Sequence, residues 1–191
     1  SDRLQQLWNA RVPPGFEEDV KKLFVRFAAK GDLNFSAFKA AWKELGMWRV
    51  HDIRIPRWDP AEVAQGMFQG AIAGLIGETL SERFGAVYTL YALFFTQPED
   101  RQLVVNMTTR SYAQLLKVED EARALAFWDP LHVIRQLKDA AAFRRTLCPY
   151  TLSGSVCITA HGGPNLSRLP DPVPEAISVA PHRSINWLNG V

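Results

Sequence analysis

Phe84-Gly85-Ala86-Val87-Tyr88-Thr89-Leu90-Tyr91-Ala92-Leu93-Phe94-Phe95-Thr96-Gln97 is the most apolar window of the chain, and it carries no charge. Small residues (Gly85, Ala86, Thr89, Ala92) alternate with large ones, and no proline intervenes before Pro98. A helix of this composition is apolar around most of its circumference and must be surrounded by other helices. Its small residues let neighbouring backbones approach. Tyr88 and Tyr91, three apart, share a side and need hydrogen-bond partners once buried. Ser81-Glu82-Arg83 before the window and Glu99-Asp100 after it leave it too short to cross a bilayer, which takes about 20 apolar residues. The window therefore reads as the central helix of a helical core, starting near Ser81 and ending at Thr96-Gln97-Pro98.

Upstream, residues 61 to 80 carry a wide apolar face: Val63, Ala64, Met67, Phe68, Ala71, Ile72, Leu75 and Ile76. Asp59-Pro60 supplies a start with proline in the first turn. Gly66, Gly70, Gly74 and Gly77 recur at three- and four-residue spacing, which costs helix propensity and implies either close helix contact or a break near Gly74 to Gly77. Whether an internal helix or a partner fills the glycine-lined face stays open at this level. Two shorter amphipathic segments come earlier. Phe16, Val20, Leu23, Phe24 and Phe27 form one stripe, ended at Gly31, and Phe35, Phe38, Ala41, Trp42 and Leu45 form the next, capped by Asn34 or Ser36 and ended at Gly46. Joined by a short connection, they should pair as a helical hairpin.

Downstream, residues 101 to 107 read either as extended chain or as a first helical turn. Thr108 or Thr109 caps a helix expected to run to Ala126, with Tyr112, Leu115, Leu116, Val118 and Ala122 inward and Glu119-Asp120-Glu121 as a solvated shoulder. Trp128-Asp129-Pro130 opens another, with Asp129 as cap and Phe143 and Leu147 continuing its apolar side. The fold class that follows is all-α. It is a multi-helix bundle around a buried central helix over residues 16–148, with an N-terminal arm (1–15) and an irregular tail rich in proline and glycine (149–191).

The 191 residues carry a formal charge of only +2, so no global field marks the chain as a nucleic-acid binder. Two cysteines, Cys148 and Cys157, fit a reducing compartment, and no signal peptide pattern appears. Four scattered histidines and no CxxC exclude a recognisable zinc site. Neither a phosphate loop nor a nucleophile elbow is present. Enzyme chemistry has no positive support, and neither a metal nor a cofactor is expected.

Interaction features are easier to name. Residues 47–58 interleave Trp48, Arg49, Arg54, Arg57 and Trp58, with Val50, Ile53 and Ile55 favouring extended backbone. Arg49, Arg54 and Arg57 are the candidate contacts to a DNA backbone, although phosphate binding normally takes a larger basic set. Leu4, Leu7 and Trp8 in the arm, and Ile185, Trp187 and Leu188 in the tail, are candidate partner anchors. Val156-Cys157-Ile158-Thr159 has the composition of a single strand, which could pair at a sheet edge.

Three stretches, Asp19 to Phe27, Phe35 to Met47 and Arg83 to Gln97, in this order and spacing, resemble subunit 1 of the small nuclear RNA-activating protein complex. Tyr112 to Phe143 is similar to the closing helices of that family, so the resemblance covers roughly residues 16 to 148. It implies a nuclear, non-enzymatic scaffold subunit of a transcription factor that binds the proximal sequence element of small nuclear RNA promoters and supports polymerases II and III. The implied partners are a large Myb-repeat subunit and a zinc-containing third subunit, with promoter DNA reached mainly through the assembled complex and no membrane involved. The family's core positions fall on Phe24, Phe27, Phe38, Trp42, Tyr88, Tyr91 and Leu93, as structural residues. The glycine-dense segment 66–77 and the tail depart from the family pattern. A direct DNA-backbone-binding module and an unrelated helical enzyme are the competing readings.

Overall fold

The charge-free window folds as the body of a helix, Leu80–Phe95, in a computed structural model that describes residues 15–52, 59–98 and 103–147. The helix begins earlier than Ser81 because Thr79 and Glu82 form a capping box. The Glu82 N–H donates to the Thr79 hydroxyl at 3.2 Å, and the Thr79 N–H donates to the Glu82 carboxylate at 3.0 Å. That bond from the Thr79 N–H, ahead of any other cause, holds the Glu82 carboxyl below the ordinary range. From Phe84 to Phe94 every residue is buried.

Around it stand α1 (Phe16–Ala28), α2 (Phe35–Glu44), α3 (Pro60–Ala73), α5 (Thr109–Ala124) and α6 (Trp128–Asp139), the central helix being α4. All five contact α4. In α1 the side chains of Phe16, Val20, Leu23, Phe24 and Phe27 turn inward, as the spacing demands, and Glu17, Glu18 and Asp19 sit in the first turn where they favour the helix dipole. Asn34 caps α2 by accepting the Ala37 N–H at 2.8 Å. The glycine-dense stretch breaks at Gly74, where α3 passes into a 3₁₀ turn, Gly74–Ile76.

At this break the glycine makes room for an aromatic ring. A Cβ at Gly74 would lie 2.7 Å from Phe24 Cε2, and one at Gly85 would lie 2.7 Å from Phe24 Cδ1. The Phe24 ring is thus held between two glycines of different elements, locking α1 against α4 and against the end of α3. At this point the internal occupant, not a partner, takes the glycine-lined space.

Three expectations need correction. Met47–Asp52 is a 3₁₀ turn instead of extended chain, with Met47 and Val50 buried; residues 53–58 lie outside the described residues. Asp129 does not cap its own helix, since α6 starts after Phe127 without a side-chain cap. Its carboxylate instead accepts the Phe35 N–H at 2.8 Å, tying the start of α6 to the start of α2. Finally, α6 does not continue through Phe143. It stops at Asp139, and Phe143–Arg145 (β2) pairs in parallel with Val105–Met107 (β1), Val105 opposite Phe143. That pairing resolves the ambiguity at 101 to 107 in favour of extended chain for 105–107.

The buried glutamines of α3 serve this small sheet. Gln65 and Gln69 donate to the carbonyls of Val104 and Asn106 at 2.7 and 2.8 Å. Gln97, also buried, donates to the Leu103 carbonyl and accepts the Leu103 N–H, fixing the approach to β1.

Two residues past the ends of α5 and α6 stand alanines with positive φ, Ala126 at 56° and Ala141 at 49°. Phe127 and Ala142 N–H groups reach back to the carbonyls of Ala122 and Leu137, the closure in which glycine is usually preferred.

Two predictions follow from this packing. Gly85→Ala overfills the Phe24 slot; a penalty of about 1–3 kcal/mol outweighs a helix-propensity gain of up to about 1 kcal/mol, so denaturant unfolding should show net destabilisation. In a Phe24→Leu background the loss should shrink, and strict additivity would contradict the slot. Conversely, Ala126→Gly and Ala141→Gly should each raise stability by up to about 1 kcal/mol, by relieving left-handed backbone strain.

Candidate interaction surface

The seven core positions carried by the resemblance do not form an open site. Phe24, Phe27, Phe38, Trp42, Tyr88, Tyr91 and Leu93 are all buried. Their rings interlock: Tyr88 lies 5.9 Å from Phe27 and 5.3 Å from Phe38 between centroids, and Phe38 lies 5.8 Å from Trp42. Phe35 meets Tyr91 edge-on at 5.4 Å. The Tyr88 hydroxyl donates to the Leu33 carbonyl at 3.0 Å, so its polar tip is satisfied by the α1–α2 connection. Burial, with Asp129 as a second cause, pushes the Tyr88 phenol far above its usual range and keeps it neutral. A neutral, hydrogen-bonded phenol in this setting is a structural group.

The charges nearest the core are also committed. Arg83, on the first turns of α4, forms a two-pronged pair with Glu121 of α5, both contacts 2.8 Å. Another of its nitrogens donates to the carbonyls of Gly77 and Glu78, which close the 3₁₀ segment. Glu119 accepts from Lys138 of α6 and from Arg123. The acidic shoulder of α5 is therefore an internal clasp in part, with Asp120 its exposed member. Glu44 accepts from Arg26 of α1 and from Lys30 just beyond its end; the Lys30 hydrogen bond is the larger cause holding its carboxyl below the ordinary range.

His51 closes the other end of the core. Its Nε2 pairs with the Leu93 carbonyl at 3.0 Å, in the last turn of α4. Burial is the dominant cause that lowers its pKa, so the folded state favours the neutral ring donating through Nε2–H.

What remains for partners is outside this framework. Trp128, the first residue of α6, is 74% exposed, and Val25, Ile76 and Leu147 are exposed as well. The inward stripe of α6 is Pro130, Val133, Ile134 and Leu137, which leaves Trp128 on the line of His132 and Arg135, facing solvent. That phase was available in the sequence, where Trp128 was read only as part of a helix start. Of the candidate DNA-contacting arginines, Arg49 is exposed with its guanidinium 5.8 Å from the Trp48 ring centroid, a cation–π distance. Arg54 and Arg57 lie outside the described residues, as do Leu4, Leu7, Trp8, Ile185, Trp187 and Leu188. The structure therefore does not bring the three arginines together as a described site.

Among the described residues no group of three or more His, Cys, Asp or Glu could hold a metal ion. No helix among them is long and apolar enough to cross a membrane.

A mainly helical domain with a small two-stranded sheet, a closed aromatic core, ion-paired flanks and an exposed tryptophan defines a helix-bundle class of protein. Residues 16–155 match the family profile of the small nuclear RNA activating complex (SNAPc), subunit 1, and the chain belongs to that family. It is 24% identical over 148 residues to the snRNA-activating protein complex subunit 1 of Macaca fascicularis and of Homo sapiens, and 22% identical to that of Mus musculus. The match covers 74% of this chain and 39% of the macaque and human proteins, so the chain spans about two fifths of their length.

The His51 contact yields a pH prediction. Its folded pKa lies below the ordinary 6.5, so its contribution to stability is complete above that value and declines as pH falls through it. Between pH 7.5 and 5.5 the wild type should lose stability, at no more than about 1.4 kcal/mol per pH unit for one proton. His51→Gln, which keeps a donor for the Leu93 carbonyl, should flatten that interval in denaturant titrations. An unchanged slope would contradict the neutral, buried ring.

Proposed function

We propose that the chain is a non-enzymatic scaffold subunit of a nuclear transcription factor that binds the proximal sequence element of small nuclear RNA promoters and supports polymerases II and III. The observation that carries this reading is membership of the SNAPc subunit 1 family over residues 16–155. The geometry supports it in two ways. The aromatic core is closed and Tyr88 is a neutral, hydrogen-bonded packing group, which argues against an active-site role. The cations Arg26, Lys30, Arg83, Arg123 and Lys138 are held in ion pairs within the domain, so they are not free to form a basic face for DNA.

On this reading residues 16–148 are the folded unit, and the segments 1–15 and 149–191 dock on partners or on the unit itself. Leu4, Leu7, Trp8, Ile185, Trp187 and Leu188 are the anchors. The partners are the large Myb-repeat subunit and the zinc-containing third subunit of the same complex, which carry most of the base reading. The chain itself binds no cofactor or metal. Arg49, Arg54 and Arg57 add backbone contacts only within the assembly.

Co-expression with those two subunits, followed by size exclusion and crosslinking, tests the proposal. The chain should elute with both, while alone it should show no salt-dependent affinity for promoter DNA. Elution apart from both subunits would refute the scaffold role. Tight DNA binding by the chain alone, weakened by Arg54→Ala and Arg57→Ala, would favour the direct-binding reading. Within the complex, Trp128→Ala should leave the melting temperature unchanged and weaken assembly by roughly tenfold or more, as loss of a buried tryptophan anchor does.

A further inference from the structure

Among the described residues, one edge of the small sheet is covered and the other has no partner strand. The covered edge is that of β1, where Gln65 and Gln69 donate to the carbonyls of Val104 and Asn106. On the inner side, the Val105 N–H donates to the Ala142 carbonyl at 2.7 Å and the Thr146 N–H donates to the Met107 carbonyl at 2.9 Å. With Val105 opposite Phe143 and Met107 opposite Arg145, this parallel register turns the backbone groups of Ala142, Arg144 and Thr146 toward β1. The N–H and C=O groups of Phe143 and Arg145 must then point the other way. Among the described residues nothing pairs with them, and the sheet has two strands. Such an edge is a template for another strand.

Its surroundings favour an apolar strand on one face. Phe143 packs edge-on against Tyr112 of α5 at 6.2 Å, and the Arg145 guanidinium lies 5.4 Å from the same ring. A strand added beside β2 would extend this face over α5. Leu147, two residues past β2, is 76% exposed.

We propose that Ser155-Val156-Cys157-Ile158-Thr159 adds to the outer edge of β2 as an antiparallel third strand. The chain runs on directly from Leu147, and the seven residues 148–154, with Gly154 at their end, separate it from this segment. Strands in a sheet lie only about 4.8 Å apart, so seven residues are ample to reverse direction. Val156, Ile158 and Thr159 are β-branched, the side-chain type that fits a pleated surface. Because side chains alternate, Val156 and Ile158 fall on one face and can continue the apolar side of Phe143, while Cys157 falls on the other. A strand tethered this closely has a high effective concentration at the edge compared with one from another molecule.

Backbone amide exchange in the full 191-residue chain tests this. The Phe143 and Arg145 amides should exchange at least about tenfold more slowly than exposed amides, the effect of one hydrogen bond each. That protection should not depend on protein concentration. Ile158→Pro and Val156→Pro, each removing a donor, should return both amides to fast exchange, while Val105 and Thr146, bonded within the existing ladder, stay protected and report an intact fold. Fast exchange of Phe143 and Arg145 in the unmodified chain would overturn the proposal. So would protection that survives both prolines, or protection that grows with concentration, which would assign the edge to a second copy.

Discussion

The Phe24 ring fits where Gly74 and Gly85 have only hydrogens, and the helical arrangement depends on that fit. Protein interiors are close-packed and tolerate added atoms poorly, so one ring between two glycines fixes three elements at once. With α1 seated against α4, Phe27 reaches Tyr88, and the hairpin to α2 brings Phe38 and Trp42 into the same cluster. The Tyr88 hydroxyl then finds the Leu33 carbonyl, and Asp129 finds the Phe35 N–H. Each polar tie is short and specific, but apolar packing sets the positions from which it forms.

This closure bears on function. The polar tips of Tyr88 and His51 meet backbone carbonyls, those of Leu33 and Leu93. The cations Arg26, Lys30, Arg83 and Lys138 are matched by Glu44, Glu119 and Glu121, which tie neighbouring elements together. What such a domain offers to other molecules is shape and exposed apolar surface, with Trp128 its largest described side chain of that kind. The proposed role in assembly rests on family membership together with these features, and the chain corresponds to about two fifths of the relatives' length.

Most of the helical architecture was legible because strong periodicity leaves few alternatives. The stripe of α1 and the wide face of α3 fall where the spacing put them, and the charge-free window is the buried centre. The start of α4 was equally legible, since Thr79 and Glu82 have capping-box spacing, yet the apolar window drew the boundary inward. Other features were not local. Asp129 looks like a cap for its own helix and serves α2, because only the tertiary fold shows which amide lies within reach. A three-residue strand such as Phe143–Arg145 is too short to display a period of two, and its parallel partner comes from before α5. The polar residues Gln65 and Gln69 read as interruptions of an apolar face until the β1 carbonyls supply their purpose. Of the candidate contact residues, Arg49 alone can be placed, and the arm and tail anchors lie outside the described residues.

The core from Tyr88 to Leu93 is closed within this chain, so the proposed partner subunits would engage its exterior. Hydrogen-exchange mapping of the chain alone and in complex with the two candidate subunits tests it most directly. The account predicts that amides from Tyr88 to Leu93 are strongly and equally protected in both states, while protection is gained around Trp128 and at the chain's ends on assembly. Rapid exchange across Tyr88 to Leu93 in the isolated chain, slowed only when the partners bind, would contradict it.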